Sequence, residues 1–224
     1  YKRQTKFRVK YLLIHKKPTR KYGVSNMKHG IILASSSISR RNILHAAGIN
    51  FKAFNHLIDE DKEKRIILRT NTRLNELPEA LAIKKAVSIS NKYKESIVIG
   101  SDQVLVHKEK VLSKPKSIND LINQLYCLQG NKHEIFSSCC IVKHGDVIWS
   151  HTERAILRMR SLNMRQIEIY ARENWEQVRS SVGGYHIESR GIKLFKKIEG
   201  DYFTILGIPL IQLMNFLISI KAVE

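Results

Sequence analysis

Cysteine is scarce in this sequence. Cys127, Cys139 and Cys140 are the three present, and none stands at C-x-x-C spacing. Cys139 and Cys140 are adjacent, so on a strand they point to opposite faces, and no disulfide framework results. Such a count fits a reducing, cytoplasmic setting. The nine histidines never occur as HxH or HExxH, which argues against a zinc centre. Long apolar runs are also missing. The best stretch, residues 203–220, is interrupted by Gly207, Pro209, Gln212 and Asn215, and the mean hydropathy is -0.26. No segment reaches the roughly 18 apolar residues of a membrane helix, so no membrane partner is expected. There is no internal repeat, no low-complexity linker and no clustered aromatic platform for single-stranded nucleic acid. With 43% hydrophobic and 26% charged residues over 224 positions, a disordered chain and a fibre are excluded.

Acidic residues are scarce in one place. The first 26 residues hold nine cations (Lys2, Arg3, Lys6, Arg8, Lys10, Lys16, Lys17, Arg20 and Lys21) and no Asp or Glu. They show no clear period and no apolar core of a secretory signal. Residues 1–26 are therefore expected to be a basic extension, disordered or foreign to the fold, and residues 27–224, opening at Met27, to be the folded domain. The whole chain carries +19 and has a pI near 10.0. Without the extension, thirty Lys and Arg still face twenty Asp and Glu. That surplus suits a polyanion, whether nucleic acid or a phosphate ester, and equally suits a plain lysine-rich surface.

Hydrophobic patterning alternates between strand and helix signals. Ile31-Ile32-Leu33-Ala34 reads as a buried strand, followed by a serine-rich turn and a helix ended by Gly48. Residues 51–54 read as a second strand, then a charged connection leads to a helix opened by Pro78. Ile97-Val98-Ile99-Gly100 is the densest β-branched run, and residues 104–106 and 111–112 form a hairpin. Ser117 caps a helix to Leu128, strands cover 133–143 and 147–159, and a helical region runs from Ser161 to about Ser180. Residues 185–187, 193–198 and 202–206 read as late strands, and Pro209 opens the last helix. The expectation is an α/β fold, a mixed twisted sheet flanked by helices in one domain with room for two lobes.

Several residues are suited to chemistry. Asp102 directly follows the densest apolar run, where α/β folds open their clefts, and a carboxylate there can hold a divalent metal or take a proton from water. On its own the segment reads more simply as a turn or cap aspartate. Ser35, Ser37, Arg40 and Arg41 stand where a strand enters a helix, a place that presents free N–H groups and a positive dipole end to an anion. A serine cap with solvent-facing arginines is the simpler alternative, and there is no Walker loop. Lys85, Lys114 and the pair Asp59-Glu60 are each, taken singly, as ordinary as any surface charge.

In order, however, Leu33-Ala34-Ser35-Ser36-Ser37-Ile38-Ser39-Arg40-Arg41, Asp59-Glu60, Leu81-Ala82-Ile83-Lys84-Lys85-Ala86, Gly100-Ser101-Asp102-Gln103, Lys114-Pro115, Gly183-Gly184-Tyr185, and Gly200-Asp201-Tyr202 through Gly207-Ile208-Pro209 form a succession. That succession resembles the Maf family. It implies an inosine-triphosphatase-like fold and a hydrolase that converts a nucleoside triphosphate to monophosphate and pyrophosphate with Mg²⁺ or Mn²⁺. It places the essential aspartate at Asp102, phosphate binding at Ser35, Ser37, Arg40, Arg41, Lys85 and Lys114, and an acidic metal residue at Glu60. Base choice falls to Ser39, Gln103 and Glu188, in a spelling similar to the subgroup acting on 7-methyl-GTP. Ile38 stands where the family has proline, and Ser39 where that subgroup tends to have an aromatic ring. A homodimer is compatible with the likeness, and nucleic acid is not required by it. The rival reading is a basic nucleic-acid-binding or cell-division interaction protein without hydrolase activity, resting on the +19 charge.

Overall fold

The computed structural model describes residues 30–70 and 72–224. The basic segment 1–26 and Met27 lie outside the described residues. Parallel strands β1 (Ile31–Ala34) and β2 (Phe51–Phe54) are joined through helix α1 (Ile38–Ala46). Helices α2 (Glu60–Leu68) and α3 (Leu77–Ser90) then lead to β3 (Ile97–His107), which pairs parallel with β1 on its other side. From there pairing turns antiparallel: β4 (Lys110–Leu112) hairpins back on β3, and β5 (Lys132–Lys143), β6 (Asp146–Met159) and β7 (Phe195–Glu199) follow in the sheet order β2-β1-β3-β5-β6-β7. Helices α4 (Ile118–Leu128), α5 (Met164–Val178), α6 (Tyr202–Leu206) and α7 (Leu210–Ser219) complete the chain. This is the expected mixed α/β sheet flanked by helices. No helix among the described residues is long and apolar enough to cross a membrane.

Strand alternation divides the core between the two faces of the sheet. One face carries Ile32, Ala34, Val98, Val104 and Val106 against Ile67 of α2 and Leu81, Ala82, Ala86 and Ile89 of α3. The other carries Ile31, Leu33, Ile99, Leu105, Ile135 and Leu157 against α1, α4, α5 and α7. With α1 and α3 on opposite faces, the carboxyl end of β1 is a switch point of the kind where α/β sheets bind ligands. β1 stops at Ala34, its last partner in β3 being Ile99, while β3 continues for eight more residues.

Five expectations need correction. The charged connection after β2 holds the whole of α2, capped by Asp59, whose Oδ1 accepts from Lys62 N at 3.0 Å, with Glu60, Asp61 and Glu63 favouring the dipole of its first turn. Residues 185–187 are not a strand: they follow a 3₁₀ turn at Val182–Gly184 in which Gly183 and Gly184 have φ of 78° and 66°. The strand expected at 193–198 begins only at Phe195, after a 3₁₀ turn at Arg190–Leu194. Tyr202–Leu206, with its strand-like aromatic and β-branched content, is the helix α6, fixed between the Asp201 cap and Gly207 at φ 107°. The α5 cap is Asn163, two residues past Ser161, and it makes a reciprocal capping box with Gln166.

Candidate active site

Lys85 sits where three elements converge. It projects from α3, is 3% exposed, and its Nζ lies 2.5 Å from Asp102 Oδ1 on β3 and 3.0 Å from Glu60 Oε2 at the start of α2. α3 comes this close because Gly100 has no side chain. A Cβ there would overlap Ala82 O and stand 2.8 Å from Ala86 Cβ. Two carboxylates meet the ammonium and offset the cost of taking it out of water. Asp102 is inside β3 and not at its end, yet it lies just beyond the level where β1 stops, so it faces the switch point.

Glu60 is the more exposed carboxylate, and its neighbours hold it well below the usual carboxylate range. The hydrogen bond from His56 does most, and Lys85 and Lys114 add to it against the opposing effect of burial. His56 Nε2 is 3.4 Å from Glu60 Oε2, and its buried Nδ1 has no partner among the described residues. Lys114 itself is exposed in the loop after β4, in electrostatic reach of Glu60.

On the other side of the switch point, Arg40 of α1 is 8% exposed and almost fully committed. Its Nε donates to Gly207 O at 2.8 Å, and Nη1 donates to Ser101 O at 3.0 Å and Ser35 Oγ at 3.3 Å. Burial pulls its pKa below the ordinary arginine value, while Asp102 and Glu60 pull the other way. The second terminal nitrogen makes no hydrogen bond among the described residues. Ser35 Oγ accepts from both Arg40 and Ser37 N, so its proton is left to donate. Ser37 is the N-cap of α1, and the Nε of Arg41 is buried without a partner among the described residues.

The remaining predicted residues fall elsewhere. Gln103 follows Asp102 in the strand and so points to the opposite face. There its amide nitrogen meets Thr204 O at 3.1 Å, Ile205 O at 2.9 Å and Ser137 Oγ at 3.1 Å. Ser39 Oγ donates to Leu206 O at 3.2 Å, and Ser101 Oγ lies 2.9 Å from Gly207 O. The carbonyls that α6 leaves open at its C-terminal end are thus met by side chains of α1, β3 and β5. Glu188 is exposed in the turn at 187–189, with no hydrogen bond or ion pair to the Asp102 cluster among the described residues.

The set combines two carboxylates that converge on one ammonium, a guanidinium with a free edge, a serine donor and nearby lysines. It suits a polyanionic ligand whose reaction needs a water activated beside it. No group of three or more His, Cys, Asp or Glu able to hold a metal occurs among the described residues. Glu60 and Asp102 nevertheless bring oxygens close enough to share Lys85. Two carboxylates completed by phosphate oxygens and water is the usual protein share in binding Mg²⁺. Sequence reading quoted Ser101 and Gly207 within motifs without a role for either, and it singled out neither His56 nor Lys64 of α2. The spacing of Lys64, one helical turn past Glu60, was the available signal for that lysine.

A family model described as Maf-like protein matches residues 30–220. A nucleoside triphosphate pyrophosphatase of Roseobacter denitrificans is 37% identical over 191 residues, covering 85% of this chain and 96% of its own length. A 7-methyl-GTP pyrophosphatase of Rhizobium etli is 39% identical over 194 residues, covering 87% and 98%. A nucleoside triphosphate pyrophosphatase of Caulobacter vibrioides is 38% identical over 187 residues, covering 84% and 94%.

Proposed function

The chain belongs to the Maf-like protein family, and from that premise we infer that it hydrolyses nucleoside triphosphates to the monophosphate and pyrophosphate. The observation that carries this reading is the Lys85 bridge between Asp102 and Glu60 at the switch point of the sheet. Water adds to the α-phosphorus, the bond from that phosphorus to the bridging oxygen breaks, and pyrophosphate departs with that oxygen. Asp102 takes the proton of the attacking water. Arg40, through its free nitrogen, Ser35, Lys85 and Lys114 bind phosphate oxygens and offset the charge that grows on the leaving group, with Ser37 and Arg41 shaping the turn beside them. Glu60 and Asp102 would hold a divalent cation, Mg²⁺ or Mn²⁺, which when bound shields the phosphates and acidifies coordinated water.

Base choice belongs, in this reading, to three residues of unequal kind. The free carboxylate of Glu188 suits the N1–H and amino edge of a guanine, including a 7-methylated one. Ser39 and Gln103 act through α6, whose position they fix.

The test is pyrophosphate release from 7-methyl-GTP, GTP, dTTP and UTP with Mg²⁺ or Mn²⁺, with Asp102→Asn alongside. The expected result is release by the wild type and a loss of about 10³-fold or more in the variant, the scale of removing the group that activates a reactant. A fully active Asp102→Asn protein refutes the role of Asp102. No release from any nucleotide by the wild type would return the basic binding protein to the front.

A further inference from the structure

Helix α2 presents one stripe to the sheet. Glu60 touches Lys85 at 3.0 Å, and Ile67, two turns later and 2% exposed, packs in the cluster with Leu81 and Val104. Leu81 precedes Lys85 by one turn of α3, and Val104 is the next residue after Asp102 on the same face of β3. Lys64 lies between those two anchors on the same stripe, so its side chain runs over the gap between Lys85 with Asp102 and Val104. It is half-buried, and its ammonium makes no hydrogen bond or ion pair among the described residues. The neighbouring lysines differ: Lys84 is paired with Glu63 at 2.9 Å, and Lys62 points to solvent.

We propose that Lys64 is a further substrate-binding residue, an ammonium that joins Lys85 and Lys114 on the pyrophosphate end of the triphosphate. This rests on the pyrophosphatase reading above. A half-buried cation gives up part of its hydration, and leaving it unpaired costs free energy that a ligand anion would recover. Burial lowers the pKa of Lys64, Asp102, Asp61 and Glu60 oppose that shift, and Lys114 reinforces it, so the five groups share one field. The two ammonium groups of Lys64 and Lys114 repel when the site is empty and are bridged favourably by an oxyanion between them. Arg40 of α1 and Ser35, in the turn after β1, stand across the switch point, which leaves the lysine-rich side for the group that departs with the negative charge.

The experiment is calorimetric binding of inorganic pyrophosphate and of guanosine monophosphate, without added metal, to wild type, Lys64→Gln, Lys64→Arg and the same-helix control Lys62→Gln. Lys64→Gln should weaken pyrophosphate binding about tenfold or more, the worth of one charge-assisted hydrogen bond. The monophosphate should change by less than about twofold, Lys64→Arg should restore most of the loss, and Lys62→Gln should resemble wild type. Glutamine removes the charge and retains the first part of the stem, and a melting curve of each variant confirms the fold. Unchanged pyrophosphate affinity in Lys64→Gln, or an equal loss in Lys62→Gln, overturns the assignment. So does a wild type that binds no pyrophosphate. A wild type that binds pyrophosphate through Lys64 yet hydrolyses no triphosphate sinks the pyrophosphatase reading and leaves the binding role standing.

Discussion

The two faces of β3 solve different problems with consecutive residues. Toward α2 and α3 the strand offers Asp102, and the polar groups it meets there are charged: Lys85, Glu60 and, further out, Lys64. Toward α6 it offers Ser101 and Gln103, which meet neutral carbonyls and the Ser137 hydroxyl. The charged side is held by few, strong, incompletely shared contacts and leaves donors for a ligand. On the neutral side the Ser101 hydroxyl and the Gln103 amide are taken up by carbonyls of residues 204, 205 and 207. Burial keeps it neutral as well, holding His133 down to about 4 and raising the Cys139 thiol well above its ordinary value. The lesson is that consecutive residues of one strand can serve a reactive side and a structural side whose polar groups are occupied by backbone carbonyls. Arg40 crosses between them, with its backbone carbonyl partners on the neutral side and Asp102 within its field.

The most damaging way to break this division is at Gly100. Gly100→Ala forces Ala82 and Ala86 off the strand, separates Lys85 from Asp102, and should cost about 3 kcal/mol of stability together with most activity. Urea denaturation and turnover measure both, and a variant with wild-type values would mean that α3 does not depend on that close approach.

A second prediction isolates the neutral side by pH. His133 is buried, its Nε2 bonded to Tyr185 Oη at 2.7 Å and its Nδ1 without a partner among the described residues. Its folded pKa of about 4 lies below the ordinary 6.5, so the unfolded chain binds the proton first as pH falls. Stability that is complete above about 6.5 therefore declines through this window down to about 4, by up to about 3 kcal/mol. His133→Gln, which retains a hydrogen-bonding group for Tyr185, should flatten that decline in melting temperature against pH. An unchanged slope would assign the acid sensitivity to the carboxylates of the charged side.

The smallest expected effect sharpens the contrast. Gln103→Leu removes the donor to Thr204 O and Ile205 O and should cost about 1–2 kcal/mol. Because α6 and not the phosphate site loses its partner, KM and the preference among bases should shift more than kcat. A pure kcat effect would place Gln103 with the reacting atoms.

How much of this was legible beforehand depended on whether the signal was local. Pro78 in the first turn of α3, Ser117 at the α4 cap and Gly48 at φ 76° are local signals, and each stands as read. α2 was missed because its apolar residues clump as Ile66-Ile67-Leu68 and give no period, although Asp59 and the acids after it form an ordinary helix start. α6 was misread because Tyr202, Phe203, Thr204 and Ile205 favour strands, and its two end signals outweighed that preference. In the site, the order of motifs named Asp102, Lys85, Glu60 and Arg40, which the fold does bring together. It gave no hint that Gln103 would face away from its neighbour, since that depends on residues 102 and 103 lying inside a continuous strand.

The pairing of Arg40 with Gly207 spans 167 positions, as does that of Ser39 with Leu206. A ribosome delivers these partners near the two ends of the domain's synthesis. Until Gly207 has left the exit tunnel, Arg40 has no acceptor for its Nε, and no N-terminal fragment can hold the guanidinium in its final pose. Contacts of such sequence separation form late, after the local helices and hairpins. The guanidinium of Arg40 is therefore set only after the segment around Gly207 has emerged, and a chain interrupted before it carries Asp102 without that neighbour in place.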